Sequence, residues 1–226
     1  MKNTQKVGIL IGILVIPALI FLFLKFFGQN YYNLPYLYPQ VDDYGNAVVK
    51  NGDTVFHQIP RFELIDKDGK VFSSDKTKDK IYVADFFFTR CGTICPKLSK
   101  SLVRVQEAYQ NNSDVLIVSH TVDPEHDKGE VLQKYAADYK AIDNKWFFVT
   151  GDKANLYKLI IEGYKLPVSD ASMLNKPEDA FVHSEKLLLI DKKGFVRGIY
   201  DGTNKADVDR LITEIDILLG SFMKKK

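Results

Sequence analysis

The stretch Ile81-Tyr-Val-Ala-Asp-Phe-Phe-Phe-Thr-Arg-Cys91-Gly-Thr-Ile-Cys95-Pro96 decides the fold. Its first half is a near-continuous apolar run, the pattern of a central strand covered on both faces. Its second half holds the only 2 cysteines of the chain. It then passes into Leu98, Leu102, Val105 and Tyr109, which recur as one face of a helix. A strand that hands a cysteine pair to a helix places Cys91 at or just before the helix N-terminus. Unpaired N–H groups and the helix dipole stabilise a thiolate there. Pro96 suits the first turn, where its missing N–H matters little. Within a helical turn, cysteines four apart share a face, so the pair can close a disulfide or chelate one ion.

Outward from this stretch the same alternation continues. Upstream, Phe62-Glu-Leu-Ile65 and Val71-Phe72 flank the turn Asp-Lys-Asp-Gly69 and predict a hairpin. Downstream, Val115-Leu-Ile-Val-Ser119 reads as a second buried strand, followed by helical patterning from Lys128 to Tyr139. Trp146-Phe-Phe-Val149 reads as a third strand, and a helix from Asp152 to Tyr164 takes Asp152 as its N-cap. Leu187-Leu-Leu-Ile190 and Phe195 to Tyr200 then form a hairpin around Asp-Lys-Lys-Gly194. Val208, Leu211, Ile212, Ile215, Leu218 and Leu219 make the apolar stripe of a closing helix. This order describes an α/β domain with a thioredoxin-like mixed sheet flanked by helices.

The chain has 226 residues, 46% of them hydrophobic, enough for one domain with a substantial core. With 31 Lys+Arg against 29 Asp+Glu, the net charge is only +2, which argues against a nucleic-acid partner. Val7 to Leu24 runs without a charge. At about 1.5 Å per residue it nearly crosses a hydrocarbon core of about 30 Å. No A-x-A-like site follows it, so an uncleaved anchor is favoured over a signal peptide. Lys2 and Lys6 precede this run and Lys25 alone lies just after it, which keeps the N-terminus cytoplasmic. The first thirty residues contain neither Arg nor Ser, unlike a mitochondrial transit peptide. The expectation is a single-pass protein of the bacterial cytoplasmic membrane whose C-terminal domain faces the periplasm. Residues 1–28 are read as cytoplasmic N-terminus and anchor. Residues 29–53 are read as a Tyr, Pro and Gly-rich tether with a short hairpin near Val48-Val49, and 54–226 as the domain.

In an oxidising compartment the two thiols must form a disulfide, hold a metal, or be kept reduced for a purpose. A structural disulfide is disfavoured because so short a loop constrains the unfolded chain little. Two thiolates suit soft Cu(I) or borderline Zn(II), and both usually want a further ligand. His57 falls in the tether region and His126 in a charged loop, where solvated histidines are the rule. His120 follows the second strand and is as easily packed as exposed. His183 precedes the hairpin strand that, in a thioredoxin-type sheet, starts beside the cysteine helix. It is therefore the histidine expected to approach Cys91 and Cys95.

Four segments, in order, resemble the motifs of the Sco/SenC copper-binding proteins. They are Phe-Phe-Phe-Thr-Arg-Cys91-Gly-Thr-Ile-Cys95-Pro, Val118-Ser-His-Thr-Val-Asp123-Pro124-Glu, Trp146-Phe-Phe-Val-Thr-Gly-Asp, and Val182-His183-Ser with Leu-Ile-Asp-Lys-Lys-Gly194. The likeness covers Thr54 to Leu219. It implies a membrane-tethered domain that binds one copper ion, Cu(I) or Cu(II), through Cys91, Cys95 and His183. It also implies service to the dinuclear copper centre of cytochrome c oxidase subunit II, with other copper chaperones or thiol reductases as partners. The alternative is a thiol-disulfide oxidoreductase that uses Cys91 and Cys95 to reduce that subunit's copper-ligand cysteines. His120 departs from the family pattern, which often has a hydrophobic residue there, and is left out of the site. Asp123 matches the family's Val-Asp-Pro motif, and nothing in the sequence makes it a ligand.

Overall fold

A computed structural model describes residues 3–27, 33–166 and 185–223. The chain divides into two compact units, Met1–Asn33 and Leu34–Lys226. In the first, helix α1 runs Asn3–Phe27 and carries Pro17. Among the described residues no helix is long and apolar enough to cross a membrane.

The second unit is built on seven strands. These are β3 (Glu63–Asp66), β4 (Val71–Ser73), β5 (Ile81–Phe87), β6 (Val115–Thr121), β7 (Trp146–Thr150), β8 (Lys186–Ile190) and β9 (Val196–Asp201). Their order is β4-β3-β7-β6-β5-β8-β9, and a separate two-stranded ribbon pairs β1 (Val49–Lys50) with β2 (Asp53–Thr54). The three central strands β5, β6 and β7 are parallel. The hairpins β3–β4 and β8–β9 close the two sides antiparallel. Helices α2 (Cys95–Ala108), α3 (Glu130–Asp138) and α5 (Lys205–Met223) pack on one face. Helix α4 (Lys153–Lys158) and the π-helical turn Leu159–Gly163 that prolongs it pack on the other. This is the thioredoxin-like mixed sheet expected from the pattern.

Every residue of β5 is buried, which is why its sequence shows no alternation even though its side chains alternate between two cores. Ile81, Val83 and Phe87 join the cluster under α2, while Tyr82, Ala84 and Phe86 join the cluster on the opposite face. By the same alternation Asp85 points toward α2, on the face that holds Cys95.

Three local readings are refined. The hairpin expected near Val48-Val49 is the β1–β2 ribbon, turned by Asn51 and Gly52 with φ of 52° and 88°. This is the Asn-Gly pattern that two-residue hairpins favour. The helix expected from Asp152 to Tyr164 starts as read, with the Asp152 carboxylate capping the Asn155 N–H at 2.9 Å, then loosens into the π turn after Lys158. The compact unit also reaches upstream of Thr54: Leu34 is buried in the α2-side core. Arg197, itself buried against Asp191 at 2.7 Å, donates to the carbonyls of Leu34 and Pro35. Leu37 N–H donates to the Val196 carbonyl at 2.9 Å, so this segment lies along the edge strand β9.

Candidate metal centre

Strand β5 delivers the chain to the cysteines through a tight turn. Val122 N–H donates to the Phe87 carbonyl at 2.8 Å, and Cys91 N–H donates to the Phe88 carbonyl at 3.1 Å. Cys91 lies in this turn, ahead of a helix whose first residue is Cys95. The two cysteines therefore do not share a helical turn, and another contact brings them together. Ile94, the N-cap, offers no side-chain acceptor, and Cys95 N–H donates instead to Cys91 Sγ at 3.4 Å. The sulfur does the work of a capping oxygen. Pro96 occupies the first turn as expected.

The two thiols are unequal. Partial burial acts to raise the Cys91 pKa, but the backbone N–H groups of Cys95, Thr93 and Ile94 and the Cys95 thiol outweigh it and hold the pKa below the usual value. Cys95 is pushed up to about 12 by burial, with the charges of Cys91 and Asp85 adding to the effect. Both are free thiols, one at the surface and one beneath it. Cys91 is thus the accessible nucleophile and soft ligand, and Cys95 is its shielded partner.

Beneath them sits a buried polar chain that sequence reading missed. Trp146 Nε1 donates to Ser119 Oγ at 2.7 Å, and Ser119 donates in turn to the Asp85 carboxylate. Burial pushes the Asp85 carboxyl up to about 7, against the lowering effect of the Ser119 hydroxyl. A charged residue inside an apolar strand, Asp85, was the signal available for this chain. Beside the cysteine loop, Arg90 forms an ion pair with Asp123. Asp127 is fully buried, accepting from Thr89 N–H at 3.0 Å, from the Thr89 hydroxyl, and from Thr121 Oγ1 at 2.7 Å.

The histidines separate clearly. His183 lies outside the described residues. The strand that follows it does not: Leu188 and Ile190 of β8 pair with Ala84 and Tyr82 of β5, so β8 begins beside the end of β5 that leads to Cys91. Glu185 carbonyl accepts from Gly202 N–H at 2.8 Å, and the Gly202 carbonyl accepts from Ser101 Oγ of α2 at 2.7 Å. His120 is fully buried on the sheet face opposite Cys95, stacked on Phe86 and bonded through Nε2 to Tyr164 Oη at 3.2 Å. Burial holds it down to about 4. His57 is partly buried, with Nε2 2.8 Å from the Gly163 carbonyl, rather than a solvated tether residue. His126 is exposed. Among the described residues no three His, Cys, Asp or Glu side chains cluster as a metal site. Two adjacent thiols, one of them acidified, nevertheless form a donor pair that suits a soft ion.

Residues 52–219 match the family model described as SCO1/SenC. The chain belongs to the SCO1/SenC family. The SCO1 protein homolog of Bacillus subtilis (strain 168) is 30% identical over 167 residues, 72% of this chain and 83% of that protein. The structure of BsSco, in which a disulfide switch was identified, matches at a TM-score of 0.61 and 30% identity, over 72% of this chain and 93% of that one. BsSco is described as a member of the Sco family of cytochrome c oxidase assembly proteins. The fold alone is shared with Arabidopsis thaliana ScoI, crystallised with copper bound, at 24% identity and a TM-score of 0.56 over 74% of this chain and 98% of that one. The SCO1/SenC match covers all seven strands of the sheet and both cysteines.

Proposed function

We propose that this SCO1/SenC protein carries one copper ion as cargo, held by Cys91, Cys95 and His183, and assists assembly of the dinuclear copper centre in cytochrome c oxidase subunit II. In this reading residues 1–28 anchor it in a bacterial cytoplasmic membrane, with the domain on the periplasmic side. Membership of the family and the copper held by a protein of the same fold support the cargo. The observation that carries the ligand set is the Cys91 sulfur, partly exposed and acidified, with the Cys95 N–H 3.4 Å away. Imidazole from His183 completes a three-coordinate site open enough to release its ion by ligand exchange. The test is metal analysis of the reduced protein. One copper per chain, lost when the cysteines are oxidised to a disulfide, is expected, because thiolate is the ligand. Equal loading of oxidised and reduced protein would reject the site.

The unequal thiols also favour a second reading, thiol-disulfide exchange. The Cys91 thiolate attacks one sulfur of a target disulfide and expels the other as a thiolate that takes up a proton. Cys95, once deprotonated, then attacks Cys91 Sγ, which releases the reduced target and leaves the Cys91–Cys95 disulfide. Two electrons pass from protein to target. His183→Ala separates the readings: a carrier loses Cu(II) binding and oxidase loading, whereas a reductase keeps its exchange rate within a few fold.

A further inference from the structure

Asp127 is a buried carboxylate that forms no ion pair among the described residues. Charged groups are almost never found fully buried without a counter-charge, so its hydrogen bonds must justify its position. They converge from two loops. Thr89, two residues before Cys91, gives it both its N–H and its hydroxyl, and Thr121, at the end of β6, gives it a second hydroxyl. Its own loop is held in turn, since Asp127 N–H donates to the Asp123 carbonyl at 2.8 Å and Asp123 N–H donates to Thr121 Oγ1 at 2.9 Å. The turn carrying Cys91 is also tied to the body of the domain by Arg90, half exposed, on Asp123, and by packing of Phe88, Cys91 and Ile94 against the core. Thr89 is where the chain leaves β5 and enters the loop to Cys95, so the direction from which Cys91 meets the N-terminus of α2 follows from where Thr89 is held.

We infer that Asp127 is a positioning residue whose carboxylate clamps Thr89 to Thr121 and thereby holds the Cys91 sulfur at the start of helix α2. It touches neither sulfur and acts through Thr89. The exposed residues Glu125 and His126 lie between Asp123 and Asp127 in the same loop, so a partner that displaces this loop also displaces Cys91. The inference rests on Cys91 and Cys95 acting as a pair, and its test uses no metal, so failure of copper binding would leave it standing.

The test measures how readily the two thiols meet. The full chain is equilibrated in glutathione buffers, where protein dithiol plus oxidised glutathione gives protein disulfide plus two reduced glutathiones, and the equilibrium constant reports the effective concentration of one cysteine at the other. Asp127→Ala is expected to lower that constant tenfold or more. Asp127→Asn, which can still accept from Thr89 N–H, is expected to recover most of it. A folded Asp127→Ala protein within twofold of the parent would overturn the inference. So would an equal loss in Arg197→Leu, a destabilising change in β9 far from the cysteine turn. If Asp127→Ala does not fold, Thr89→Val removes one donor of the clamp at nearly constant shape. A severalfold fall is expected there, and an unchanged constant would equally overturn the proposal.

Discussion

Replacing Asp85 with asparagine should make this protein more stable at neutral and alkaline pH while leaving it nearly unchanged in acid. Asp85 is 1% exposed, on the core face of a central strand. Its carboxyl is pushed from the ordinary 3.8 up to about 7, chiefly by burial. A raised folded-state value means that the native protein holds a proton the unfolded chain has released. Stability is therefore full below about pH 4, and is lost as pH rises to about 7. At about 1.36 kcal/mol per pH unit, the loss reaches roughly 4 kcal/mol. That is a large share of the 5–15 kcal/mol typical of a domain. Asparagine keeps an oxygen that can accept from Ser119 but cannot ionise, so Asp85→Asn should escape the loss. Urea titrations from pH 4 to pH 8, followed by the fluorescence of Trp146, give both proteins' stabilities. Trp146 is the only tryptophan and is hydrogen-bonded to Ser119 in the same chain of contacts. The gap between the two proteins should widen by about 4 kcal/mol across that range. A gap constant to within about 1 kcal/mol would refute the reasoning, because it would mean that the ionised carboxylate costs nothing in its buried place.

His120 carries the opposite sign. Burial holds it down to about 4 from 6.5, so its contribution is present above pH 6.5 and lost on acidification toward pH 4, about 3 kcal/mol in all. His120→Phe should flatten that acid limb by this amount in the same titrations, and an unaltered limb would show that the loss arises elsewhere. The thiols should also react unequally. With iodoacetamide at pH 7, Cys91, acidified and partly exposed, should be alkylated at least tenfold faster than Cys95, buried and pushed up to about 12. Mass-spectrometric mapping that found Cys95 modified first would overturn the assignment of the two roles.

Much of the architecture was legible in the residues because it depends on local pattern. The near-continuous apolar runs Ile81–Phe88 and Val115–Ser119 announced strands buried on both faces, and Gly69 and Gly194 marked the turns of the two hairpins. Asp152 marked a helix start that its hydrogen bond to Asn155 confirms. The cysteine pair, followed at once by a proline and a helical stripe, pointed to a thiol at a helix N-terminus, and that is a matter of spacing along the chain. How the two sulfurs meet was not legible. One turn of helix was the simple expectation, whereas the chain folds back so that the Cys91 sulfur caps the Cys95 N–H. Nor could the sequence assign Asp85, Ser119 and Trp146 to one buried chain, or Asp127 to the turn before Cys91. These contacts join residues distant in sequence, and their existence depends on the register of β5 against β6, where Asp85 lies opposite Ser119. A shift of one residue would turn Asp85 and Ser119 to opposite faces. Hydrophobic periodicity is a property of neighbours along the chain, so it determined strands, helices and their order. The N–H groups gathered around Cys91 that make it acidic, and the burial that keeps Cys95 inert and raises the Asp85 carboxyl, are properties of the packed domain, and only the tertiary structure decided them.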